Sequence, residues 1–198
     1  MAFLDEGYKV PQSNSRYMKL KDGDNIFRIL DKATMGWLDW KTEGDGSKKP
    51  IRTKYEGEAS KPKPLNPKQA VKHFWAFPIY DYADKQIKVL EVTQATIQNA
   101  IYTYHCDVDF GDPTGYDIKI NKQGEKLSTE YAVLAKPPKP LDAEIGVLYA
   151  QTPVNCEALL TNGDPFEDSK PKVVESGAEE EVNIDEIDFE TPPVSQGA

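Results

Sequence analysis

Residues 71–80 alternate two sets of side chains: Val71, His73, Trp75, Phe77 and Ile79 on one side, Lys72, Phe74, Ala76, Pro78 and Tyr80 on the other. Both sets are largely apolar or aromatic, so the segment reads as a strand with little surface left for water. Residues 81–85 read as a turn and 86–92 as its hairpin partner. Upstream, Asp22-Gly23-Asp24 is a turn signal that introduces a strand at 25–30. Residues 35–40, where Trp37 and Trp40 flank Leu38, predict a second strand, closed by Gly44-Asp45-Gly46-Ser47. Downstream, 116–120 and 129–134 each alternate with period two, and the polar connection containing Gly124 makes them a hairpin. Helical spacing follows Thr93, a suitable N-cap: Ile97, Ala100, Ile101 and Tyr104 share one face. A shorter helix, interrupted at Pro153, is predicted within 145–160.

Six or so short strands with a helix between strand pairs place the chain in the mainly β class, as a single OB-fold-like Greek-key barrel with one or two short helices. The domain is expected to run from 23 to 163, after an N-terminal arm at 1–22. Residues 41–70 are expected as a basic surface loop, because the three prolines of Lys61-Pro62-Lys63-Pro64-Leu65-Asn66-Pro67 forbid helix and central strand. A small barrel cannot bury both faces of 71–80 together with Trp37 and Trp40 unless a second sheet layer covers one of them. Part of that aromatic surface is therefore expected to be exposed.

Charge changes this picture. The formal net charge is −9, and residues 164–198 hold all of it, with 11 acids against Lys170 and Lys172; the other 22 acids and 22 bases cancel. A segment so charged cannot bury enough surface to fold alone, so 164–198 is expected to be a disordered acidic tail whose loss leaves the stability of the body unchanged. An acidic balance of this origin does not argue against a polyanionic partner. Within the neutral body, residues 48–72 carry eight bases (Lys48, Lys49, Arg52, Lys54, Lys61, Lys63, Lys68 and Lys72) against Glu56 and Glu58.

No catalytic constellation emerges. His73 alternates inside a strand, His105 ends the helix, neither lies near a nucleophile motif, and phosphate-cradling glycine loops and HExxH spacing are missing. The chain is read as no enzyme, with no cofactor and no metal. Cys106 and Cys156 lack CxxC or CxxH spacing and read as plain thiols. With no run of 18 apolar residues and no basic region leading into an apolar stretch at the N-terminus, no membrane partner and a cytoplasmic location are expected.

The functional reading comes from aromatics interleaved with bases. Single-stranded DNA offers phosphates, which ask for Lys and Arg, and exposed base faces, which ask for flat π surfaces. Trp37, Trp40, Trp75 and Tyr80 are expected to stack on bases, with Tyr55 beside them, while Lys48, Lys49, Arg52, Lys54 and Lys72 hold phosphates. Phe74 and Phe77 stay open between core and platform.

The order of FRIL at 27–30, GWLDW at 36–40, KKPIRTKY at 48–55, the run 72–104, FGDPTGYDIKI at 110–120 and STEYAVLA at 128–135 resembles bacteriophage single-stranded DNA-binding proteins, replication proteins with one OB-fold. The resemblance covers residues from about 23 to 136, plus the acidic tail. It implies sequence-independent binding of single-stranded DNA in replication, recombination or repair. Some relatives carry a zinc knuckle in the basic insertion, but no Cys or His stands between Thr42 and Lys72 here, so no metal is carried over. Tails of this class are acidic and often finish on an aromatic; Ile184-Asp185-Glu186-Ile187-Asp188-Phe189 has that character nine residues from the end. The tail is thus expected to compete with DNA for the groove and to dock replication or recombination proteins, the chain being a monomer or weak homodimer. Two alternatives stay open: an OB-type protein-interaction module, and an RNA-binding chaperone, since groove chemistry does not reveal 2′-OH recognition.

Overall fold

The computed structural model describes residues 16–125 and 128–167; residues 1–15 and 168–198 lie outside it, and with them most of the acidic segment. The described chain is mainly β. Its elements are β1 (Gly23–Ile29), β2 (Thr34–Thr42), β3 (Lys48–Lys54), β4 (Lys72–Asp81), β5 (Gln86–Val92), α1 (Ala95–Cys106), β6 (Asp117–Gln123), β7 (Glu130–Ala135) and α2 (Ala143–Gln151). All strands pair antiparallel in one seven-stranded sheet, in the order β3-β2-β4-β1-β6-β7, with β5 on the other edge of β4. The sheet does not close into the expected barrel.

β3 falls inside the segment expected to be loop. It pairs only with β2, so it is an edge strand, where Pro50 withholds no needed hydrogen bond and β-branched Ile51 and Thr53 suit the pleat. Its lysines leave no apolar alternation to read. α1 begins one residue later than the Thr93 cap implies, with Gln94 at the cap position, while α2 ends before Pro153 as expected.

β4 organises the sheet. Residues 72–76 pair with β2 and 79–81 with β1 along the same edge. The Pro78 carbonyl accepts from Leu30 N at 3.0 Å. In a strand, the N–H and C=O of one residue face the same edge, so the missing N–H of Pro78 falls at the step from β2 to β1.

The two faces of β4 are buried differently. Phe77 and Ile79 join Phe27, Ile29, Leu90, Ile118 and the α1 residues Ile97 and Ile101 in the main core. Phe74 and Ala76, with Leu38 and Val89, form a second core under Cys156, Leu159 and Phe166. A Cβ at Gly36 would stand 2.5 Å from both the Phe74 ring and the Thr53 carbonyl oxygen, so only glycine lets that ring lie against β2.

This second core overturns two expectations. Among the described residues it is not a second sheet but a 3-10 turn (Cys156–Thr161) and Phe166 that cover the even-numbered face of β4, and Phe74 and Phe77 are both core. The body also passes beyond residue 163, because Phe166 is 0% exposed, Asn155 N donates to Pro165 O at 2.8 Å, and the Arg16 guanidinium lies 4.9 Å from the Phe166 ring centroid. Residues 16–18, expected as part of a loose arm, hydrogen-bond to the β5 edge through Val89.

A buried ion network ties the far end of the sheet to the loops around it. Arg28 donates to Thr114 O (2.7 Å), Lys139 O (2.8 Å) and Asp117 (3.3 Å). The Asp117 carboxylate also takes Tyr82 OH (2.8 Å) and Lys139 Nζ (2.9 Å). Burial alone would raise the Asp117 pKa, but the hydrogen bonds from Lys139 and Tyr82 and the nearby positive charge outweigh it and hold the carboxyl below its usual range.

Two outcomes follow from these cores. Phe166→Ala removes about 3–5 kcal/mol of stability; by urea denaturation, a chain ended at Gly163 is destabilised too, whereas one ended after Glu167 keeps its stability. The depressed Asp117 pKa means the unfolded chain binds its proton first, so this contribution is complete above the unfolded pKa of about 3.9 and is lost as pH falls toward the folded value. Asp117→Asn is less stable at neutral pH by about 3–5 kcal/mol, and its urea midpoint falls less steeply over that acid range than that of the parent chain.

Candidate nucleic-acid interface

The register of β2 and β4 places Met35 opposite Trp75 and Trp37 opposite His73. These four lie on the face that carries Phe77 and Ile79 further along β4, but beyond those core residues. Tyr55, whose N–H donates to Met35 O at 3.1 Å, extends the same face at the end of β3. Three rings cluster there: Trp37 and Tyr55 centroids are 5.5 Å apart, Trp37 and His73 5.2 Å, Tyr55 and His73 4.9 Å. Met35 is 43% exposed, and Trp75, His73 and Tyr55 are half-buried. Trp75 Nε1 and His73 Nε2 are buried yet make no hydrogen bond among the described residues; a buried polar group left unmet costs about 1–3 kcal/mol.

Two side chains of β2 hold the Pro-rich segment beside this face. Trp37 Nε1 donates to Ser60 Oγ at 3.0 Å, and Ser60 Oγ in turn donates to Gly57 O at 2.6 Å. The buried Asp39 carboxylate accepts from Leu65 N and from Trp40 N, both at 2.7 Å. Lys61 Nζ lies 5.3 Å from the Trp37 ring centroid. Trp37 is only 3% exposed, so it forms the floor of the face rather than a free stacking surface.

The basic side chains divide into free and spent. Lys48, Lys49, Lys54, Lys61, Lys63, Lys68 and Lys72 are exposed, and none forms an ion pair among the described residues, whereas Lys88, Lys119, Lys122 and Lys139 all do. Lys41 stands directly opposite Lys49, an arrangement that repels itself and is relieved by Glu43, 3.4 Å from Lys41. Arg52 is spent: its Nε meets Glu91 at 2.8 Å while its guanidinium lies 6.0 Å from the Phe74 ring centroid. It joins β3 to β5 across the second core.

The residues singled out by sequence therefore separate. Trp37, Lys49, Tyr55 and Trp75 share one face, together with Lys41, Met35 and His73, which sequence reasoning did not choose. Trp40, Lys48, Arg52, Lys54 and Lys72 project from the other face by register. Trp40 packs against the second core and is no platform; exposed Lys48, Lys54 and Lys72 stand at strand ends, on the rim of the sheet. Tyr80 lies eight residues along β4 from Lys72, about 26 Å away, edge-on to Tyr82 at 5.0 Å. His73 was hidden by its place in an otherwise apolar strand, and Met35 by its place at a strand start.

No known protein family, curated protein or solved structure matches this chain. Its chemistry is thus read from its own side chains. Burial pushes the Cys156 thiol up to about 12, while Cys106 is exposed. Among the described residues no group of His, Cys, Asp and Glu is arranged to hold a metal, and no helix is long and apolar enough to cross a membrane. What the Trp75 face offers is flat apolar area beside a border of exposed positive charge.

Arg52→Ala leaves Glu91 half-buried without its partner and lowers stability by about 1–3 kcal/mol. Adding Glu91→Gln recovers part of that loss, as thermal melts of the single and double variants will show.

Proposed function

We propose that the chain binds single-stranded DNA, without catalysis and without sequence preference, along the face that carries Met35, Trp75, His73 and Tyr55. The supporting observation is a row of half-buried rings bordered by exposed lysines, of which Lys48, Lys49, Lys54 and Lys72 form no ion pair among the described residues. Bases stack on Trp75 and Tyr55, each stacked base contributing about 1–3 kcal/mol. The Trp75 and His73 ring nitrogens are buried, so bases meet the ring faces and not these atoms; since every base has a π face, such contacts tolerate any sequence. Phosphates lie on Lys41 and Lys49 and on the rim lysines Lys48, Lys54 and Lys72. A phosphate between Lys41 and Lys49 turns their repulsion into attraction.

Kinship with phage single-stranded DNA-binding proteins of one OB-fold belongs to the same proposal. It is supported by α1 standing between strand pairs and by the division of the β4 edge between β1 and β2. The acidic segment beyond Glu167, nine acids against Lys170 and Lys172, then competes with DNA for the lysines and docks replication or recombination partners.

Binding to oligo(dT), followed by tryptophan quenching, weakens with salt at a log–log slope of about −0.7 per phosphate, so about four contacts give a slope near −3. Lys41→Gln with Lys49→Gln flattens the slope by about 1.4 and, by removing the like-charge rung, leaves the fold no less stable. Ending the chain after Glu167 tightens binding at low salt, and the gain fades as the Debye length shrinks from about 10 Å at 0.1 M to about 3 Å at 1 M. Failure to bind oligo(dT) at low salt, or a slope near zero, overturns the proposal; tighter binding to poly(U) reassigns it to RNA.

A further inference from the structure

At the other end of β4, an open groove of about 600 Å³ lies between the strand and α2. Its lining combines the edge-on pair Tyr80 and Tyr82, the carboxylates Asp142 and Glu144, and apolar Val147 and Leu148. Asp142 and Glu144 are exposed and form no ion pair among the described residues, and residues 141–151 contain no base. Of the cations beside Tyr82, Lys139, 5.7 Å from its ring centroid, is held by Asp117, and so is Arg28. Val147 is 58% exposed, so the groove presents apolar area as well as negative charge.

The chain carries a segment complementary to each part of that lining. In residues 61–68, Lys61, Lys63 and Lys68 alternate with Pro62, Pro64 and Pro67, and Leu65 stands 58% exposed in the middle. Proline holds φ near −65° and removes backbone donors, so residues 61–64 run without regular structure into the hydrogen-bonded turn Asn66–Gln69, and a segment fixed in this way loses little entropy on docking. Proline rings seat on aromatic grooves, and flanking bases meet acids at the groove edge. The Lys63 and Lys68 ammonium groups form no ion pair among the described residues, and the phosphate-binding set proposed above does not use them.

The segment cannot reach the groove of its own molecule. It is tied to β2 through the Asp39 and Trp37 hydrogen bonds, and Asp39 lies one rung beyond the Leu38–Lys72 pair. Tyr80 is therefore nine rungs away along β4, about 30 Å at 3.3 Å per residue. We infer that the Tyr80–Tyr82–Asp142–Glu144 groove receives the Lys–Pro segment, residues 61–68, of a second copy of this chain. Donor and acceptor are different surfaces at opposite ends of one strand, so the contact is head-to-tail and propagates into an open array rather than a closed dimer. A contact of one short segment lies below the roughly 1,200 Å² of stable interfaces, which makes the association concentration-dependent and salt-sensitive.

Sedimentation velocity on the full chain, free of nucleic acid and at low salt, tests this. The parent chain is expected to grow in mass with concentration and to return toward monomer as salt is added. A groove variant, Asp142→Asn with Glu144→Gln, and a segment variant, Lys63→Gln with Lys68→Gln, are each expected to stay monomeric with unchanged melting temperature, since all four side chains are exposed. Mixed in equal amounts, the two form a dimer of one of each and stop there, because each retains one competent half. A parent chain monomeric at every concentration, either variant associating like the parent, or a mixture that stays monomeric overturns the inference. None of these outcomes involves DNA, so they leave the proposed function to its own test.

Discussion

A strand that is apolar on both faces must be covered twice, and everything distinctive in this chain answers to that constraint on β4. One face is met by the sheet itself and by Ile97 and Ile101 of α1. The other is met by a stretch of chain that returns after α2, laying Cys156, Leu159 and Phe166 over Phe74 and Ala76. Burying a Phe side chain contributes about 1.5–3 kcal/mol, a considerable share of the 5–15 kcal/mol by which a domain of this size is stable. The C-terminal segment is thus an integral layer, and the acidic composition that begins around residue 164 disguises it.

That disguise explains where the sequence was legible and where it was not. Period-two alternation is a local signal, so six of the seven strands, the helix after Thr93 and the break at Pro153 could be read directly. β3 could not: lysines on both faces of an edge strand leave no hydrophobic period, and Pro50 argues for loop. Phe166 was unreadable for a different reason. A single aromatic among Asp164, Glu167 and Asp168 looks like tail, and only the uncovered face of β4, some 90 residues earlier, gives it a place to go.

The same division decided the candidate site. Sequence proximity put Trp37, Trp40, Arg52 and Trp75 into one set, but one step along a strand reverses the face. Trp40 and Arg52 fell on the side that the C-terminal layer covers, and Glu91 claimed the Arg52 charge. Charge density was legible at 48–72, whereas which charges are spent depended on partners distant in sequence. The lysines of 48–72, which form no ion pair among the described residues, lie around an end of the sheet whose aromatic face is not closed over, and this coincidence supports a polyanion with flat bases more than either feature alone.

The division of faces is most directly tested by ¹⁹F NMR of the chain labelled with 5-fluorotryptophan, its three resonances assigned by single Trp→Phe variants and followed on addition of oligo(dT). The Trp75 resonance is predicted to shift and broaden most, Trp37 less because Lys61 and Tyr55 stand over it, and Trp40 least, beneath the opposite layer. A Trp40 resonance that moves while Trp75 stays fixed would place the ligand on the face assigned here to Phe166 and contradict the proposed site.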